Sequence, residues 1–105
     1  MSNKQFRELI DFQKNLLALQ RAPSQLNIFY HLLLTGKTMT VKEIASEIGT
    51  TEKSIERAMS KLNQKGLVER SPFREGSYTV DSKKLLGTLL LSFSELYKEN
   101  DAEIR

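Results

Sequence analysis

Two short amphipathic segments, each opened by a threonine and closed by a glycine, stand almost back to back between Thr40 and Gly66: TVKEIASEIG, then TTEKSIERAMSKLNQKG. That punctuation leaves few folds open. Val41, Ile44, Ala45 and Ile48 recur at helical spacing, as do Ile55, Ala58, Met59 and Leu62, so each segment predicts a helix with one buried stripe. Thr40-x-x-Glu43 has capping-box spacing, in which the hydroxyl accepts from the Glu43 amide and the carboxylate reaches back to the Thr40 amide. Gly49 suits the left-handed residue that ends a helix, and Thr51 suits the N-cap that starts the next. Ala45 is small where a second helix must pass closely. After Gly66, residues Leu67–Arg70 read as a strand, Ser71–Gly76 as turn chemistry and Ser77–Val80 as the returning strand.

The flanks are less specific. Phe6, Leu9, Ile10, Phe12, Leu16, Leu17 and Leu19 predict a helix over 4–20 whose apolar residues spread beyond one stripe. Arg21-Ala22-Pro23-Ser24 is a break, with Pro23 or Ser24 suited to open the next helix. That helix, over 25–35, offers Leu26, Ile28, Phe29, Leu32 and Leu33 to a core and stops at Gly36. Lys37-Thr38-Met39 is expected to be a short extended piece pairing with the hairpin. Asp81 or Ser82 caps a last helix over 82–100, again apolar around much of its circumference. A helix apolar on more than one side needs cover on both. The two terminal helices are therefore expected to form a dimerisation layer, with Phe6, Leu9, Phe12, Leu16, Leu86, Leu89, Leu90, Phe93, Leu96 and Tyr97 as candidate contacts. The expected fold is mainly α (α+β): a winged helix-turn-helix with a two-stranded β-hairpin wing. It is read as one domain, 1–105, with a winged-helix core over 25–80.

Several function classes are excluded by residue type. There is no cysteine, which removes disulfides, thiolate metal sites and cysteine nucleophiles. His31 lacks partner ligands and reads as structural. No nucleophile with a base, no metal spacing and no phosphate loop is present, so no enzyme, metal or cofactor is expected. The start of the chain lacks the apolar segment of a signal peptide, and the apolar run near Leu85–Phe93 is too short and broken to span a membrane, so a cytoplasmic protein is expected.

Charge placement points elsewhere. The formal net charge is +3. Between Thr50 and Arg74, Lys53, Arg57, Lys61, Lys65, Arg70 and Arg74 outweigh Glu52, Glu56 and Glu69, which accounts for that whole excess. A helix-turn-helix presents the outer face of its second helix to the major groove, where base edges distinguish all four pairs. Lys53, Ser54 and Arg57 are candidate groove contacts, Thr50, Thr51 and Lys61 candidate phosphate contacts, and Arg70 with Arg74 candidate wing contacts. Lys65, further along, is expected to reach the backbone. A solvated charged face or a helical hairpin without a DNA role would share some of this pattern.

The run MTVKEIASEIGTTEKSIERAMSKLNQKGLVER with SYTV resembles the winged-helix core of the MarR-like and TrmB-like regulators of bacteria and archaea. The resemblance covers about Leu26 to Val80. It implies a homodimer that binds a palindromic operator in double-stranded DNA through Lys53, Ser54, Arg57 and Arg74, with terminal helices at the dimer interface. Compared with larger members, the chain is expected to have a short wing and no separate effector domain, and no residue marks an effector site. The function expected is a prokaryotic transcriptional regulator, acting by repression. A winged-helix protein-interaction module and an architectural or plasmid-partition DNA binder remain the alternatives.

Overall fold

The structure, a computed structural model, describes residues 2–104, with side chains described as far as Phe93. Helix α1 spans Asn3–Ala18 and continues into a 3₁₀ turn at Leu19–Arg21. It opens on a capping box formed by Ser2 and Gln5. Helix α2, Pro23–Thr35, begins two residues earlier than expected. Pro23 occupies its first turn, where a missing amide hydrogen costs nothing.

The expected helix-turn-helix follows as α3, Val41–Ile48, and α4, Glu52–Gln64. Thr40 caps α3, with its Oγ1 accepting from the Glu43 amide at 3.2 Å and the Glu43 carboxylate accepting from the Thr40 amide at 3.3 Å. Gly49 takes φ of 82°, a left-handed conformation that a Cβ would strain. The Gly49 and Thr50 amides both donate to the Ala45 carbonyl, which reverses the chain within one turn. Thr51 then caps α4 by accepting from the Ser54 amide.

The sheet has three strands, two from the hairpin and one from the segment just before α3. Strand β1, Met39–Thr40, pairs antiparallel with β3, Ser77–Thr79, and β3 pairs antiparallel with β2, Glu69–Arg70. Met39 and Arg70 both lie opposite Tyr78, which fixes the register. The expected extended piece at 37–39 thus pairs with the hairpin, shifted to Met39–Thr40. The strand expected over Leu67–Arg70 is shorter because Leu67 and Val68, both buried, turn into the core, and the Leu67 amide donates to the Leu62 carbonyl.

The core lies where α2, α3 and α4 meet. Ile28, Phe29 and Leu32 face Ile44 and Ala45 of α3 and Ile55, Ala58, Met59 and Leu62 of α4, with Met39, Leu67 and Val68 closing it beneath the sheet. Full burial of each large aliphatic side chain is worth about 1.5–3 kcal/mol. Phe12 of α1 and Leu19 of the 3₁₀ turn that follows it complete this core. Asn15 Nδ2 donates to the Lys65 carbonyl at 2.9 Å, tying α1 to the end of α4.

Helix α5, Ser82–Ile104, starts at an Asp81 cap whose Oδ1 accepts from the Lys83 and Lys84 amides. It runs parallel to α1, because the contacts advance together along both helices. Gly87 abuts Leu9, where an added Cβ would stand 3.2 Å from a Leu9 methyl, and Gln13 Nε2 donates to Ser92 Oγ at 2.7 Å. Among the described residues no helix is long and apolar enough to cross a membrane.

The interface candidates divide. Phe12, only 4% exposed, belongs to the chain's own core, which corrects its expected place at a dimer interface. Leu16 packs against that core as well, and Leu9 is half-buried against α5. Phe6, Leu86, Leu89, Leu90 and Phe93 remain exposed. The side chains of Leu96 and Tyr97 lie outside the described residues.

Candidate nucleic-acid interface

Helix α4 is amphipathic in a strict sense. Ile55, Ala58, Met59 and Leu62 are buried, while Lys53, Ser54, Arg57 and Lys61 are exposed together with Thr50 and Thr51 before them. Lys53, Arg57 and Lys61 sit at i, i+4 and i+8, so their cations line one edge of the exposed face. That edge overlooks a shallow cleft of about 310 Å³, whose opposite wall is Ser24 and Gln25 at the start of α2. Ser24 and Gln25 carry no sequence signal for such a role. They reach it only because α2 packs across α4.

The other edge of the exposed face carries Glu56, Ser60, Asn63 and Gln64, which share a second cleft with Arg70 and Tyr78 of the wing. The outer surface of α4 is therefore bracketed by the first turn of α2 on its cationic edge and by the wing on its polar edge. Lys65 departs from the expected basic row. Its Nζ donates to Gln25 Oε1 at 2.9 Å and bridges α4 to α2.

The wing arginines also divide. Arg70 is exposed on β2. Arg74 does not extend from the tip. Its Nη2 lies 2.6 Å from Glu43 Oε1 and its Nη1 donates to the Thr38 carbonyl at 3.4 Å. Glu43 thus serves the α3 capping box and the wing at once. Hydrogen bonding from the Thr40 hydroxyl, then from the Thr40 amide and Arg74, holds its carboxyl below the ordinary value of 4.5. His31 is structural in setting, with Nε2 3.5 Å from Glu47 Oε2 across the α2–α3 contact.

A capped helix pair, a cation-edged second helix and a flanking three-stranded sheet define a winged helix-turn-helix DNA-binding domain. The family model of the sugar-specific transcriptional regulator TrmB matches residues 27–84. That is more than half of the chain, which belongs to this family and carries its DNA-binding transcriptional-regulator domain. The family is one of regulators, not of enzymes. No curated protein sequence matches the chain.

Proposed function

We propose that this protein is a sequence-specific regulator that binds double-stranded DNA as a homodimer and represses by occluding its operator. The exposed face of α4 carries the reading: Lys53, Ser54 and Arg57 project from its first two turns while the opposite face is wholly buried. Arg57 suits a bidentate bond to a guanine edge, a contact worth roughly 1–3 kcal/mol of discrimination. Thr50, Thr51 and Lys61, with Ser24 and Gln25 across the cleft, suit phosphate oxygens on the adjoining strand. Repression follows because occlusion needs no activation surface.

The dimer is supported by α5. Leu86, Leu89, Leu90 and Phe93 recur at i, i+3, i+4 and i+7 and are each about half exposed or more, while Thr88 is buried and Ser92 bonds Gln13 on the side facing α1. Such a continuous apolar stripe is the seam that a second copy covers. A two-fold dimer places two α4 helices on a palindrome. The whole chain then acts as one domain whose winged-helix part reads DNA and whose terminal helices join the copies.

The test is a fluorescence-anisotropy titration against the DNA upstream of the protein's own coding sequence and against a scrambled duplex, at two salt concentrations. Preference for the upstream duplex, with affinity falling as salt rises, is expected. Absence of binding at low salt would reverse the reading in favour of a protein-interaction module.

A further inference from the structure

The wing tip presents an aromatic ring for which the fold has no use. Phe73 is 96% exposed, more than any other large apolar residue described, and sits at the apex of Ser71–Gly76. The tip that carries it is braced. The Ser71 amide donates to the Ser77 carbonyl, Ser71 Oγ accepts from the Phe73 amide at 3.2 Å, and Pro72 fixes the backbone just before the ring. Gly76, at φ of 72°, completes a turn closed by the Ser77 amide on the Arg74 carbonyl, and buried Ser77 Oγ donates to the same carbonyl.

The tip's charges do not explain its placement. Arg74 is drawn back onto Glu43 and Thr38, and Glu75 is exposed and repels phosphate. What the apex offers a duplex is therefore an uncharged ring on a rigid turn. Its flanking strand carries Arg70 beside the polar edge of α4. With α4 in a major groove, a wing on that edge meets the neighbouring minor groove, where apolar wedges enter between base steps and kink the duplex.

We propose that Phe73 is a wedge that inserts from the wing into the minor groove and partly unstacks one base step, adding specificity for easily deformed steps outside the bases read by α4. Pyrimidine–purine steps yield most readily and are the ones it selects. Arg74 is a positioning residue here. It anchors the tip to the start of α3 so that the ring enters at a fixed distance from α4. The proposal rests on the DNA-binding reading above.

The experiment begins with selection of duplexes from a random-sequence library by the full-length protein. The selected duplex is then remade with 2-aminopurine at successive positions flanking the conserved bases. Wild-type protein is expected to raise the fluorescence at one flanking step on each side. Phe73→Ala is expected to abolish that rise, weaken binding roughly ten- to a hundredfold and leave the salt slope unchanged, as loss of a stacked aromatic does. Phe73→Leu, still an apolar wedge, is expected to keep most of the rise. Because the ring touches so little of the protein, the thermal midpoint of Phe73→Ala should equal that of wild type, which separates the effect from misfolding. A selected duplex bound with Arg57-dependent affinity but with no fluorescence rise, or with a rise that Phe73→Ala retains, would overturn the wedge alone. Failure to enrich any sequence would remove the DNA-reading proposal and the wedge together.

Discussion

The stretch from Thr40 to Gly66 and the α1–α5 layer are both helical and both rich in leucine or isoleucine, yet they are specified in different ways. In the first, each helix begins at a side-chain cap and ends near a glycine, and each has one apolar stripe that its neighbours cover, fully in α4 and with only Val41 and Ile48 partly exposed in α3. In the second, α5 has an apolar stripe that the chain itself leaves uncovered. A region whose local signals agree with its tertiary burial needs no partner. A region with surplus apolar surface offers a face that a partner could cover. The winged-helix half packs its apolar residues within the chain, whereas the terminal layer keeps an exposed stripe, the face assigned to the proposed dimer.

The contrast can be broken most severely in the rigid half. Ile55→Ala removes a fully buried side chain at the centre of the α2–α3–α4 contact and should cost about 2–5 kcal/mol in urea denaturation. A loss below ~1 kcal/mol would mean that this core is not the close-packed unit described. In the terminal layer the opposite holds. Leu89→Asp with Phe93→Asp alters exposed positions, so each copy should stay folded while sedimentation reports a monomer. DNA affinity should fall on the order of a hundredfold as two linked half-site contacts become one. A persistent dimer would place the interface elsewhere.

Arg57→Ala should lower affinity for the selected duplex by about 1–3 kcal/mol and relax preference at defined bases. Equal weakening on every sequence would make Arg57 a phosphate contact. Thr40→Ala should destabilise by about 1 kcal/mol through loss of the α3 cap, and stability unchanged within ~0.3 kcal/mol would contradict the capping geometry.

The smallest effect concerns the link between the two caps of function, the α3 start and the wing. Glu43 has a lowered folded-state pKa, so its contribution is present above the unfolded value of about 4.5 and is lost as pH falls through the folded value. The stability gap between wild type and Glu43→Gln should therefore narrow as pH drops below 4.5. A gap constant from neutral pH to pH 3 would show that the ionised carboxylate adds nothing.

Much of this was legible in residue order, because the signals are local. A threonine three residues before a glutamate, a glycine after an apolar stripe, and a turn between two short apolar runs each act within a few residues. The place of Phe12 is not legible for the converse reason. Helical periodicity shows that several sides of α1 are apolar, but not which side the same chain covers, and only the packing of α1 on the end of α4 decides that.

The sequence likewise marks Arg74 as a wing contact and Lys65 as a backbone contact, whereas both are engaged within the chain. Their partners, Glu43 and Gln25, lie 31 and 40 residues away, beyond any local pattern. The amino-acid sequence by itself determined the capped helix pair, the short wing and the family, since these follow from conformational preferences of neighbouring residues. Tertiary structure alone decided which cations remain exposed beside α4, which wing residue stands at the apex, and which apolar stripe is left open. Each of those depends on burial and ion pairing between segments distant in the chain.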